Sequence, residues 1–288
     1  MIEPNETSGD GALPRVFGLT LVKDEADIIE LCLRHASRFC ERIFVLDNGS
    51  TDGTWEIVGR LADEGSTVHP VGREPGPYGE GLKAQIFREA RPELDEGDWL
   101  HLLDSDEFLE DDPRDLLREC EEEGADLVRC LQAQFFVTEG DLERGWFLDD
   151  GPVESFAELP RHYRIDWEEV RLFRFRPSLD WPVRREDGSL SRRSYPKGLR
   201  DLATARLVNR HYQYRSRGQM KRRLASRAEQ HERTGWFRHN ADPDWTNYIQ
   251  DSRGLDRVEP GETLRATFRD RLRVWFRRKR RELPRRLG

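Results

Sequence analysis

Three carboxylates fall within four residues at Asp104-Ser105-Asp106-Glu107, directly after the run Trp99-Leu100-His101-Leu102-Leu103. Like charges this close repel and raise one another's pKa, so a counter-charge is needed. A divalent cation, Mg2+ or Mn2+, is the economical choice: it is hard, and it accepts one or two carboxylates plus a substrate's phosphates. The plain alternative for an Asp-x-Asp is a solvated acidic loop after a strand. Two other polar clusters have the same placement. Lys23-Asp24-Glu25 follows the apolar run Val16–Val22, and Asp47 opens the turn cluster Asn48-Gly49-Ser50-Thr51-Asp52-Gly53-Thr54.

The elements that must carry these clusters read as alternating strands and helices. Val16–Val22, Arg42–Asp47, Thr67–Val71 and Trp99–Leu103 are predicted strands. A helix capped by Asp24 places Ile29, Leu33, Ala36 and Cys40 at helical spacing. Trp55–Asp63, capped by Thr54, and Leu82–Ala90 are the next two helices. This alternation implies an α/β domain with a mainly parallel sheet. Ligands of such sheets bind outside the carboxyl ends of the strands. The three polar clusters therefore converge on one edge.

Further along, Pro113 opens a helix to Glu123, and Asp126–Val137 is a longer strand. Thr138–Asp166 has no assignment. Val170–Phe175 alternates arginines with apolar residues, as a half-exposed strand does. Pro177–Pro196 is a loop or hairpin turning at Asp187-Gly188. Ala205–Asn209 is a strand, Ser216–Arg233 a basic helix, 235–260 irregular, and Glu262–Glu282 a final helix.

A chain of 288 residues suits one large domain, or one domain with an appendage. Charged residues make up 36%, but 14 Phe and 8 Trp are enough to fill a core. No stretch approaches the ~18 apolar residues of a membrane span. Residues 1–14 read as a polar, flexible leader without the apolar centre of a signal peptide. Cys32, Cys40, Cys120 and Cys130 lack metal-site spacing and read as reduced, buried thiols of a cytoplasmic protein. The net charge of −8 hides an asymmetry: residues 1–160 hold 39 acids and 14 bases, while 161–288 hold 17 acids and 34 bases. The halves either neutralise one another or serve different partners.

The ordered set Val22-Lys23-Asp24-Glu25, Asp47–Thr54 and Leu103-Asp104-Ser105-Asp106-Glu107-Phe108 resembles the nucleotide-sugar-binding half of family 2 glycosyltransferases, which have the GT-A fold. The match covers about residues 15–135, with an echo from Arg171-Leu172-Phe173-Arg174 to His211-Tyr212-Gln213-Tyr214-Arg215-Ser216. The resemblance implies a single GT-A-type, Rossmann-like domain with a basic C-terminal helical extension. Residues 1–14 would be the leader, 15–135 the donor and metal half, 136–215 the acceptor half and 216–288 the extension. Asp47 would meet the nucleotide's base, with Lys23, Asp24 and Glu25 lining the pocket and Gly49 and Ser50 letting the backbone pass close. Asp104 would reach the ribose or a metal-bound water, Asp106 would ligate the cation, and His211 would be a late metal or phosphate contact. Arg215 would pair with phosphate oxygens. A basic residue in the helix before the metal strand, Lys83 or Arg88, would touch the nucleotide.

The family implies inversion at the anomeric carbon by direct displacement, on a nucleoside-diphosphate sugar donor and a hydroxyl acceptor. Such chemistry needs one general base, usually a carboxylate. The candidates are Glu168 and Glu169, beside Trp167, and then Asp149 and Asp150. A lipid-linked, cell-envelope or polysaccharide acceptor suits the basic second half; no nucleic acid is expected. One rival is a dehalogenase-type phosphatase with Asp104 as nucleophile, but its motif follows the first strand, not the fourth, and Phe108 stands where Thr or Val is usual. The other is a non-catalytic module gripping a polyanion or membrane on the same scaffold.

The final helix is informative by itself. Eleven bases lie between Arg265 and Arg286, against only Asp270 and Glu282. Leu264, Phe268, Leu272, Trp275, Phe276 and Leu283 share one helical face. Either this stripe lies in an anionic membrane interface, through residues 262–288 on the inner face of a membrane, or it packs on the acidic half or a second subunit.

Overall fold

Strands β1 (Val16–Val22), β2 (Arg42–Asp47), β3 (Val68–Arg73) and β4 (Trp99–Leu102) lie parallel in the spatial order β3-β2-β1-β4. Their near-continuous apolar runs follow from burial on both faces. Helices α1 (Ile29–Ala36), α2 (Thr54–Asp63) and α3 (Gly81–Ala90) make the crossovers. The computed structural model describes residues 12–65, 67–145, 151–235 and 242–282.

The sheet then changes character. A short β5 (Glu107–Leu109) follows the acidic turn, and α4 (Arg114–Glu122) leads into β6 (Leu127–Phe136). A five-residue α5 (Glu139–Glu143), held by a Thr138–Asp141 capping box, precedes β7 (His162–Arg174). β8 (Leu202–His211), α6 (Arg217–Thr234), β9 (Asp256–Arg257) and α7 (Phe268–Glu282) complete the order. β7 runs antiparallel to β4 and β6, β8 parallel to β6, and β5 antiparallel to β8. One curled sheet thus carries the parallel strands of the first half and the mixed second half, as the α/β expectation requires.

Two cores flank the sheet. Ile29, Leu33, Val58, Leu117 and Tyr212 belong to one, and Phe44, Ile86, Phe87, Phe173 and Trp181 to the other. The four cysteines are buried and free.

Several sequence expectations shift. The first helix begins at Ile29, not at Asp24, because Asp24 adopts a left-handed backbone (φ 53°) and spends its carboxylate on Thr51. Thr54 is the first residue of α2 rather than its cap, which is Gly53, and the Thr54 backbone N–H donates to Asp52 Oδ1 at 3.1 Å. β7 spans 13 residues, including the last five of the unassigned 138–166 interval. The final helix starts at Phe268 rather than Glu262.

Candidate active site

The carboxyl ends of β1, β2 and β4 meet, as their placement predicted. Asp24 N–H donates to Ser50 Oγ (2.9 Å), Thr51 N–H to Asp24 Oδ1 (2.8 Å) and Glu25 N–H to Thr54 Oγ1 (2.9 Å). The turn cluster after β2 is therefore bonded to the turn after β1. Gly49 is required there: its φ of 82° favours glycine, and a Cβ would stand 3.0 Å from Pro75 Cβ. The Asp24 strain is held by these bonds.

A cavity of about 850 Å³ opens over this edge, within the range of small-molecule sites. Its lining includes Lys23, Asp24, Glu25, Asn48, Asp104 and Asp106 from the strand ends, and Arg222, Arg223 and Arg227 of α6. Asp166, Trp167, Glu169 and Arg171 come from β7, and Arg277 from α7.

The acidic turn has its counter-charges inside the protein. Asp104 Oδ1 accepts from Lys83 Nζ (3.1 Å) and Oδ2 from Arg171 Nη2 (2.9 Å). Burial raises the Asp104 pKa, but Lys83 and Arg171 outweigh it and hold the carboxyl well below its usual range. Glu107 is enclosed by Arg171 and Asn209, and burial pushes its pKa up to about 7. Asp106 Oδ2 lies 2.9 Å from Arg223 Nη2, 3.6 Å from His211 Nε2 and 3.9 Å from Arg215 Nη1. Burial opposes its charge, but Arg223 and His211 prevail and keep the Asp106 carboxyl far below its ordinary value. Burial likewise works against a charged His211, and Asp106 overrides it, so the His211 pKa rises.

Asp106 Oδ2 is nonetheless without a well-directed hydrogen bond, although buried. With His211 Nε2 beside it, it is the part of the site that fits a divalent cation. Among the described residues no three His, Cys, Asp or Glu side chains group as a metal cage. A cation here would take its other ligands from substrate phosphates and water, as Mg2+ commonly does. Arg223 would have to move aside to admit it.

The remaining sequence candidates divide. Asp24, Glu25, Lys23, Asp104, Asp106 and His211 line the cavity. Asp47 is fully buried, and its carboxylate is spent on the Gly49 and Ser50 N–H groups and on Arg73 Nε (2.9 Å). Gly49 and Ser50 shape that turn. Lys83 is buried on Asp104, and Arg88 is exposed on α3. Arg215 does not reach into the cavity. It is buried on Asp27 (2.7 and 2.8 Å) and Glu25 because three carboxylates, counting Asp106, surround its guanidinium. Glu168 faces away from its neighbour Glu169, against Arg129 (3.0 Å), Arg206 (2.8 Å) and Arg278 (3.1 Å). Burial raises its pKa, but these arginines bring it below the usual value. Glu169 is 49% exposed and within 2.9 Å of Arg171. Asp149 and Asp150 lie outside the described residues.

Residues 20–179 match the model of the family described as Glycosyl transferase family 2. The chain belongs to glycosyl transferase family 2. Its match takes in all three polar clusters and β7, so the cavity wall up to β7 is family sequence, and the rest, from β8, Gln213, α6 and α7, lies beyond the match. Among solved structures, a mannosyltransferase, PcManGT from Pyrobaculum calidifontis in complex with GDP-Man and Mn2+, is 16% identical with a TM-score of 0.39. The likeness covers 75% of this chain and 62% of that one, so the family 2 chain spans less than two thirds of its neighbour. A mycobacterial protein is 20% identical with a TM-score of 0.31, over 42% of this chain and 41% of its own. No curated protein matches.

Sequence reading missed five contributors. Asn48 donates from Nδ2 to Glu74 O (2.7 Å) and leaves a buried Oδ1 unpartnered at the cavity. Arg223 and Arg227 follow Arg222 by one and five residues, a helical face legible in principle. Asp166 and Arg171 are the extra residues at two bulges of β7 against β6, and bulges re-aim side chains without a sequence signature.

Proposed function

We propose that this family 2 chain is an inverting glycosyltransferase that moves a sugar from a nucleoside-diphosphate sugar to a hydroxyl acceptor with Mg2+ or Mn2+. The observation that carries the reading is the cavity's mixed charge: Asp24, Glu25, Asp104 and Asp106 share one opening with the α6 arginines, and Arg223 bridges Glu25 and Asp106. A neutral or uniformly basic wall would serve a polyanion; acids set among guanidinium groups serve a metal-carried diphosphate. Residues 15–135 form the donor half and 136–215 the acceptor half, with α6 of 216–288 closing over the donor.

In this reading Asn48 Oδ1 and Asp24 meet the nucleoside, while Asp47 acts through the turn it fixes. Asp106 and His211 would hold the cation, which would supply positive charge to the departing diphosphate. Arg223 and Arg227 supply further positive charge to the same oxygens. Glu169 takes the acceptor hydroxyl's proton, and the oxygen attacks the anomeric carbon from the face opposite the phosphate. The new C–O bond forms as the old one breaks, its electron pair leaves with the diphosphate, and configuration inverts. Trp167 stacks beside the acceptor and limits water.

The test is release of nucleoside diphosphate from a panel of UDP-, GDP- and dTDP-sugars. At least one donor is consumed with Mn2+ and spared without it. A panel left intact under both conditions would remove the reading.

A further inference from the structure

Helix α7 is attached to the body by its charged side. Arg273 reaches Asp270 (3.0 Å) and Asp256 (3.5 Å), Arg277 reaches Asp166 (2.6 Å) and Arg278 reaches Glu168 (3.1 Å). Arg277 also lies over the Trp167 ring, 5.6 Å from its centroid. Among the described side chains of this helix, Val274 alone adds a buried apolar contact. The acids these arginines use come from β7, β9 and α7 itself, so the basic face is consumed within the fold. The opposite face is apolar and turned to solvent: Phe268 is 77% exposed, Phe276 57%, Trp275 47% and Leu272 39%. An amphipathic surface helix ordinarily buries its apolar stripe and exposes its charges. This one is inverted.

We infer that the outer face of α7 is a docking surface for an anionic lipid bilayer. Contiguous exposed aromatic and aliphatic side chains mark interaction sites. The bases beside them choose the partner. Arg269, Arg271 and Lys279 are exposed on the same helix, while Asp270, the acid of its first turn, is buried. Trp and Phe inserted at the headgroup boundary, with Arg and Lys at its rim, is the chemistry of a helix lying in an anionic interface. Among the described residues no helix is long and apolar enough to cross a membrane, so the contact is peripheral. The docked helix also lends Arg277 to the cavity wall. The site would therefore open within about one helix diameter, 10–12 Å, of the lipid, within reach of a membrane-borne acceptor.

The inference rests on α7 alone and stands or falls separately from glycosyl transfer. The experiment compares the full chain with a Trp275→Ser/Phe276→Ser variant, whose exposed side chains leave the fold's own contacts intact. Both are sedimented with phosphatidylcholine vesicles and with vesicles containing phosphatidylglycerol, at low and high salt. The full chain sediments with the anionic vesicles, less so at high salt, and the variant binds them roughly tenfold or more weakly. Its thermal midpoint and nucleoside-diphosphate affinity are unchanged. Absence of binding to anionic vesicles at low salt overturns the inference, and so does equal binding by the variant. A full chain that self-associates in solution, and dissociates in the variant, assigns the face to a second copy instead.

Discussion

Arg223 Nη2 stands 2.9 Å from Asp106 Oδ2, so the carboxylate whose spacing suggests a metal is met by a guanidinium. The same Arg223 donates from Nη1 to Glu25 Oε1 at 2.7 Å. An arriving cation and this side chain compete for one oxygen. Displacing Arg223 costs an ion pair but releases a guanidinium beside the diphosphate it would then bind. In the proposed reading that exchange would couple donor binding to metal binding.

Asp106→Asn should abolish Mn2+-dependent binding of nucleoside diphosphates. It should also destabilise the fold by about 1–3 kcal/mol, because Arg223, Arg215 and His211 lose a buried charged partner. Urea unfolding reads the second effect. The internal counter-charges reverse the simpler expectation that removing one acid relieves repulsion. A variant that binds Mn2+ and diphosphate normally would take Asp106 out of the metal site.

Arg223→Gln should leave Asp106 open to the metal yet weaken diphosphate affinity roughly tenfold or more, a loss of about 1.4 kcal/mol or greater. Calorimetry with diphosphate and with Mn2+ alone separates the two effects. Unchanged diphosphate affinity would make Arg223 a fold residue only.

Glu168→Gln and Glu169→Gln should part company. Glu169→Gln removes turnover while donor binding survives, as loss of a base requires. Glu168→Gln instead loosens Arg129, Arg206 and Arg278 and costs stability of about 1–3 kcal/mol, the scale for losing a partly buried charged hydrogen-bond partner. Full turnover in Glu169→Gln would move the base elsewhere on the cavity wall.

Acid should destabilise the protein through two histidines outside the cavity. Burial pushes the His101 pKa down to about 3 and that of His35 to about 4. Both bind fewer protons folded than unfolded, so their contribution is intact above about pH 6.5 and is lost as pH falls. By pH 4 the combined loss is on the order of 5 kcal/mol. His101→Leu, which cannot charge, should flatten the stability curve between pH 6.5 and 4. An unchanged slope in that variant would show that His101 charges freely in the fold.

The parallel half of the sheet was legible because β1, β2 and β4 are apolar runs ending in polar turns, and Gly49 and Asp52 punctuate sharply. The placement of Asp104 and Asp106 followed from that. What defeated the sequence was choice among equivalent residues. Arg215 and Arg223 are both arginines near one helix start, and only the fold buries the first on Asp27 and brings the second to the cavity. Glu168 and Glu169 are adjacent, and the parity of β7, shifted by two bulges, decides which one faces the opening. In α7 both faces were readable, but not which one docks. The acids that draw its arginines inward, Asp166, Glu168 and Asp256, are distant in sequence and form no local pattern.

The coupling of diphosphate and cation at Asp106 is tested most directly by titration calorimetry of the full chain with UDP, GDP and dTDP, each with and without Mn2+. The account predicts that one of them binds with Mn2+ and binds at least roughly tenfold more weakly without it. Binding of none, or of all three equally and without regard to metal, would contradict it.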